Sequence, residues 1–437
     1  MANEELKFDT LKIRGAYNSA EHNYAASVPI YETAAFDLGS AERAGNLFSF
    51  SELGFIYTRV GNPTTNVLEQ RVAALDGAAA AVAVGSGMAA VTYTLFNVAE
   101  NGGRILTTPY LYGGTIDSFK KIYPKFGVAI DKSENFHNPE ELAKDIKPDT
   151  KAIFVESISN PNAVIADLEA LAKVAHEHDI PLIVDNTFAT PYLLNPIKYG
   201  ADIVIYSATK ALGGHGNSIA GLILESGKFN WGNGKFPQFS EELDYTLRDS
   251  EGNSRTFLDV FPESPFTWRV RKNYLAYFGA ALSPFNSYLT LIGIETLSER
   301  IQKQVENTKK IIHYLEDNDK VEWIKHPSAK DNPYKELAEK YVPKGAGSIF
   351  SFGFKGTDEE INKFLNAIKL FNYHTNVGDV RSLIINSPKT THGELTREEQ
   401  EFSDIAPNTI RISVGLEDHE DLIADLDQAF EAASKNN

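Results

Sequence analysis

Between about residue 61 and residue 225, short runs rich in Val and Ile alternate with stretches of helical character, and this alternation constrains the fold more than any other feature of the chain. The runs are AAVAVGSG, GRILTTP, KAIFVES, IPLIVDN and ADIVIYS. Strands that alternate with helices argue for a parallel sheet in an α/β domain. Between two of them, LEALAKVAHEHD places Leu168, Leu171, Ala172 and Ala175 on one helical face.

The flanks read differently. Residues 1–60 carry polar and turn residues with scattered apolar ones, the pattern of an N-terminal arm that lies on other surfaces. Residues 228–268 are rich in Gly, Pro, Phe and acidic residues without clear periodicity, so a long loop or an insertion is expected, of a length that tends to be functional. Beyond it, residues 286–317 read as long helices. GSIFSFGF and TIRISVGL read as strands of a second, smaller α+β domain that ends in an amphipathic helix through Leu422, Leu426 and Phe430. The expected division is an arm at 1–60, an α/β domain at 61–270 and a C-terminal α+β domain at 271–437.

Composition narrows the function. Lys plus Arg total 42 against 59 for Asp plus Glu, a net charge of −17, which argues against a nucleic-acid or anionic-membrane partner. There is no cysteine, so disulfides, thiolate zinc sites and cysteine nucleophiles are excluded and any hard chemistry needs another source. The opening MANEELKFDT has neither a basic nor an apolar leader region, and no stretch approaches the roughly 20 apolar residues of a membrane span. The expected location is the cytoplasm.

The strongest local signal is ADIVIYSATKALGGHG, a strand that runs into Ser207, Ala208, Thr209 and Lys210 and then a glycine-rich turn. A solvated surface charge is the ordinary reading of a lone lysine. Here Ser207 and Thr209 flank it with hydroxyls suited to phosphate, and 25 residues upstream the strand IPLIVD ends in Asp185. Neighbouring parallel strands converge at their ends on one crevice. A lysine and a carboxylate together are what pyridoxal phosphate requires: an amine for its aldehyde, and an acid that keeps the pyridine nitrogen protonated. Taken alone, Asp185 also fits a helix N-cap before Asn186. VAVGSGMAAV adds a strand followed by Gly85, Ser86, Gly87 and Met88 and then an apolar helical run. Its backbone amides can approach a phosphate, or its small residues can serve tight strand-to-helix packing.

These residues resemble the Cys/Met-metabolism family of pyridoxal-phosphate enzymes over residues 8–433, with YTRVGNPT, GSGMAA, LYGGT, VDNTF, SATKALGGHG and RISVGLE in the family's order. The resemblance implies a pyridoxal-phosphate-dependent transferase fold of aspartate-aminotransferase-like type (fold type I), with a central, mostly parallel sheet and a smaller C-terminal α+β domain. It implies Lys210 as the Schiff-base lysine, Asp185 as the pyridinium partner and Tyr112 as the ring stacked over the cofactor. Ser86, Gly87, Met88, Ser207 and Thr209 would hold the phosphate. Tyr57 and Arg59 would reach the phosphate of a neighbouring subunit, so that each site needs two chains and the assembly is a homotetramer, a dimer of dimers. Arg411 would clamp the substrate's α-carboxylate, with Asn160 and Asn376 beside it.

Within the family, the length of the GKFNWGNGKFPQF region and the form of ALSPFNSYLTLIGIETLSERI and NVGDVRSLI resemble the O-acetylhomoserine sulfhydrylases. The implied reaction takes O-acetylhomoserine and sulfide to homocysteine and acetate in methionine biosynthesis, with Lys210 as base and Tyr112 assisting proton transfer. INSPKTTHGEL departs from the family's usual His-Pro-Ala run, and NPN at 160–162 from the common NPT. The related alternatives are cystathionine γ-synthase and methionine γ-lyase chemistry on the same cofactor residues. A nucleotide-binding module is disfavoured because no GxGxxG or GxxxxGK[ST] occurs in the right context. A metal site is disfavoured as well: His176 and His178 are two apart on a helix and cannot share a face, and His215 and His392 read as hydrogen-bonded loop residues.

Overall fold

The computed structural model describes residues 6–249 and 251–435. Seven strands make the larger sheet: β1 (Ala80–Val84), β2 (Arg104–Thr107), β3 (Ala129–Lys132), β4 (Thr150–Glu156), β5 (Leu182–Asp185), β6 (Ile203–Ser207) and β7 (Gly221–Glu225). Their order is β1-β7-β6-β5-β4-β2-β3. β3, β2, β4, β5 and β6 pair in parallel, and β7 runs against both β6 and β1. All five runs singled out in the sequence are strands of this sheet.

The middles of the runs are apolar on both faces because both faces of the sheet are covered. On β4, Ile153 and Val155 face one core with Leu182, Val184, Val204 and Tyr206. Ala152 and Phe154 face the other, with Ile183, Ile203 and Ile205. The first face is closed by the helices Pro63–Asp76 and Leu168–Glu177, the second by Gly87–Ala99. Leu168–Glu177 buries Leu168, Leu171, Ala172 and Ala175, and Asp167 caps it by accepting from the Ala170 amide.

Residues 228–268 differ from the expected long loop. Trp231 packs against Phe239 with ring centroids 4.6 Å apart and against Phe266 at 5.1 Å, and all three rings are buried. Glu225 at the end of β7 accepts from Trp231 Nε1 at 2.9 Å and from the Thr267 amide at 2.8 Å, which pins both ends of the segment to the sheet. Short helices at Pro237–Ser240 and Pro265–Arg269 and the hairpin of β8 (Asp244–Arg248) with β9 (Ser254–Arg255) complete it. Periodicity is missing because no element is long enough to show one, yet the aromatic rings supply a core.

The smaller sheet comprises β10 (Val321–Lys325), β11 (Ile349–Phe354), β12 (Asn372–Tyr373), β13 (Leu383–Asn386) and β14 (Thr409–Ser413), in the order β10-β11-β14-β13-β12. Helix Asp358–Ala367 and helix His419–Ser434 cover it, the latter burying Leu422, Leu426 and Phe430. Helix Leu297–Glu316 ties the two sheets together: Leu297, Ile301 and Val305 belong to the first core of the larger sheet, Ile311, Ile312 and Leu315 to the core of the smaller one. The N-terminal arm carries helices at Phe8–Arg14 and Ala41–Phe48. It is fastened by Lys12, whose ammonium donates to Ser298 and Glu299, while Tyr24, Phe48, Leu53 and Tyr57 stay exposed. No helix among the described residues is long and apolar enough to cross a membrane.

Phe364 lies in the core of the smaller sheet, 4.6 Å from Phe430 and 5.3 Å from Phe354 between ring centroids. Phe364→Ala leaves a cavity among these rings, so a loss of about 3–5 kcal/mol is expected. Urea unfolding measures it as a lower midpoint.

Candidate active site

Parallel pairing brings the last residues of β4, β5 and β6 to one edge of the larger sheet: Glu156, Asp185 and Ser207. The loop after β1 arrives at the same edge. Gly87 lies so close to β6 that a Cβ there would stand 2.5 Å from that of Ser207. Ser86 caps helix Gly87–Ala99 by accepting from the Ala89 amide. The Gly87 and Met88 amides lie in the first turn, outside the intrahelical ladder, and the helix presents positive dipole there.

The turn after β6 carries Lys210, whose amide donates to the Ser207 carbonyl at 3.1 Å. Its ammonium donates to Asn376 Oδ1 at 2.8 Å. Burial, followed by the charge of Arg411, lowers the Lys210 pKa from 10.5 to about 8. The Thr209 hydroxyl donates to the Ala220 carbonyl and accepts from the Ala220 amide, so it braces the turn.

Arg411 projects from β14 of the smaller sheet and is 2% exposed. It donates to Asn160 Oδ1 at 3.3 Å, to the Thr375 carbonyl at 3.2 Å and to the Asn376 carbonyl at 3.3 Å. All three acceptors are neutral, so among the described residues this buried cation has hydrogen bonds but no carboxylate. Such a cation favours an incoming anion.

Asp185 Oδ1 accepts from the Thr187 amide at 3.0 Å, the local bond of its cap-like reading. Asp185 stands in register with Glu156 at the end of the neighbouring strand. Burial raises its pKa above the usual carboxylate range, and the Thr187 hydroxyl and amide oppose that shift. Thr187 Oγ1 in turn accepts from the Ser207 amide at 2.8 Å, which joins β5 to β6. Tyr112 stands before helix Gly113–Lys121 with 42% of its surface exposed, and its amide donates to Glu156 Oε1 at 2.5 Å.

One chain therefore brings together Lys210, Asp185, Ser86, Gly87, Met88, Ser207, Thr209, Asn160, Asn376, Arg411 and Tyr112. It does not bring Tyr57 and Arg59 to them. The Arg59 guanidinium lies over the Tyr57 ring at 5.1 Å, in a separate groove of about 1600 Å³ lined also by Phe48, Trp268 and Tyr277. Sequence reasoning missed Glu156 and Thr187. Glu156 occupies the same strand-end position as Asp185, and that alignment was the available signal. Of the histidines, His176 bonds Asp202 at 2.8 Å, His215 the Gly213 carbonyl at 2.7 Å, and buried His392 bonds Ser387 at 3.0 Å.

The donor set fits pyridoxal phosphate: helix-start amides beside hydroxyls for the phosphate, a buried amine with a lowered pKa for the aldehyde, and a strand-end carboxyl for the ring nitrogen. Residues 9–431 match the family described as Cys/Met metabolism PLP-dependent enzymes, and the chain belongs to it. Among its relatives are the homocysteine synthase of Schizosaccharomyces pombe, 40% identical over 433 residues with 98% of this chain and 99% of that protein covered, and the O-acetyl-L-homoserine sulfhydrylase 1 of Thermus thermophilus, 40% identical over 428 residues, covering 97% and 100%. The crystal structure of an O-acetylhomoserine (thiol)-lyase from Campylobacter jejuni superposes with a TM-score of 0.92 at 36% identity, over 98% of this chain and 100% of that one. That crystal structure contains a pyridoxyl-lysine monophosphate.

The lowered pKa has a direct consequence for the cofactor-free protein. Acylation of Lys210 by an amine-selective reagent should rise through about pH 8 and then level off, whereas surface lysines keep gaining reactivity towards 10.5. Mass spectrometry of the Lys210 peptide across a pH series reads the difference.

Proposed function

We propose that the chain catalyses γ-replacement on O-acetylhomoserine: sulfide takes the place of acetate, the γ-carbon–oxygen bond breaks, a carbon–sulfur bond forms, and homocysteine and acetate leave. The observation that carries this reading is Arg411, a buried cation with neutral partners only, joined through Asn376 to the Lys210 amine. An α-amino acid matches that pair, with its carboxylate at Arg411 and its amino group towards Lys210. The choice of acetyl ester and sulfide rests on the names of the full-length relatives.

Pyridoxal phosphate, when bound, supplies an aldehyde for amines and a ring that spreads negative charge from the neighbouring carbon. Lys210 would hold it, Asp185 would keep its ring nitrogen protonated, and Gly87, Met88, Ser86, Ser207 and Thr209 would surround its phosphate. The remaining work falls to this chain's side chains. Arg411, with Asn160 and Asn376, orients the substrate by its carboxylate. Lys210 Nζ takes the α-proton and later returns one, which a pKa near neutrality favours. The Tyr112 hydroxyl, free in the crevice, serves the departing acetate.

Tyr57 and Arg59 would complete the phosphate site of a second copy. Their exposure and their distance from Lys210 in one chain favour a shared site, and we extend this to a homotetramer built as a dimer of dimers. The cytoplasm is the location this reading assigns.

The test is product analysis of cofactor-loaded protein with O-acetylhomoserine plus sulfide, and separately plus cysteine. Homocysteine as the main product supports the proposal. Cystathionine as the preferred product, or 2-oxobutanoate released without any thiol, overturns it in favour of synthase or lyase chemistry. Lys210→Ala should abolish turnover with its circular dichroism in the peptide region unchanged. Arg411→Ala should lose about 3 kcal/mol of transition-state binding, on the order of 100-fold in kcat/KM, with homoserine esters.

A further inference from the structure

β4 and β5 end in register, so Glu156 and Asp185 are direct partners across two parallel strands. Two carboxylates side by side in a buried place repel each other, and no chemistry assigned above uses the first of them. Burial and the charge of Asp185 both push the Glu156 pKa upward. Something must hold a carboxylate there.

What Glu156 does is divide its oxygens. Oε1 accepts from the Tyr112 amide at 2.5 Å, and Oε2 accepts from the Asn160 amide at 3.1 Å. Tyr112 precedes the helix between β2 and β3, whereas Asn160 belongs to the turn after β4. From Asn160 the bonds continue to Arg411, then to the Asn376 carbonyl, and from Asn376 Oδ1 to Lys210. Glu156 thus heads an unbroken path from the exposed tyrosine to the carboxylate-binding arginine and the reactive amine.

A carboxyl suits this place better than an amide. It accepts at both oxygens, whereas an amide of the same shape turns one donor against one of the two N–H groups.

We propose that Glu156 is a positioning residue for the reaction: it sets the spacing between Tyr112 and Asn160, so that the leaving-group side and the carboxylate side of one substrate are placed by a single side chain. The inference rests on the roles given to Tyr112 and Arg411 above.

Glu156→Gln is examined as holoenzyme, alone and combined with Tyr112→Phe. The variant should keep stoichiometric cofactor, while the visible circular dichroism of the bound cofactor falls because Tyr112 is no longer held against it. Turnover should drop about 10- to 100-fold, the range that small misplacement causes. In the Tyr112→Phe background the same change should cost several-fold less in kcat, since the hydroxyl it places is gone, while the part carried through Asn160 and Arg411 remains as a raised KM. Equal losses in both backgrounds, or kcat and KM within about twofold of wild type, overturn the proposal. Should Glu156→Gln fail to fold, Glu156→Asp keeps the charge, shortens the reach and is judged by the same comparison. The dichroism signal needs no substrate. It therefore still decides the role of Glu156 if O-acetylhomoserine proves to be the wrong substrate, and an unchanged signal counts against that role.

Discussion

The parallel pairing of β4, β5 and β6 is the constraint from which the rest of the molecule follows. In a parallel sheet all strand ends of one kind lie along one edge, so Glu156, Asp185 and Ser207 become neighbours although they are spread over 52 positions of sequence. Helix starts reach the same edge with their amides unpaired, and an anion-binding crevice results without further design. A second sheet then has only to deliver one cation. Arg411 does so from β14, a strand buried along its whole length.

Behind that edge lies a buried scaffold with no part in the chemistry. Asn186 donates to Tyr206 at 2.8 Å and Tyr206 donates to Asp76, which joins β5, β6 and helix Pro63–Asp76. Burial raises the Asp76 pKa to about 7. Ser157 donates to Asn186 at 2.8 Å and brings in β4. Three strand ends are thus locked together one residue away from Glu156, Asp185 and Ser207, which keeps Asp185 and Ser207 in fixed relation.

What could be read from the sequence follows the same division. Strands buried on both faces have apolar middles, so β1, β2, β4, β5 and β6 are visible as Val- and Ile-rich runs. β3 reads AIDK, and a strand at the sheet's edge tolerates such charges, which hid it. β7 follows directly on the glycine turn and was absorbed into it. Lys210 and Asp185 stood out because each closes an apolar run. Glu156 closes one too, but its function lies in two bonds to backbone amides at positions 112 and 160, and sequence patterns carry no record of such partners. The aromatic segment at 228–268 shows no periodicity for a similar reason: its order comes from rings meeting across short elements rather than from any repeat along the chain.

Arg411 and Lys210 belong to different sheets, and each sheet has its own core. A ligand whose carboxylate met one and whose amino group approached the other would add a link between two arches already joined by helix Leu297–Glu316 and by Tyr341, Val342 and Ala346, which pack into the core of the larger sheet. Because such a ligand binds only the assembled arrangement, its free energy of binding adds to the cohesion of the sheets by mass action, growing with the logarithm of its concentration. The amount of substrate in the cell then sets how firmly the enzyme is built as well as how fast it works.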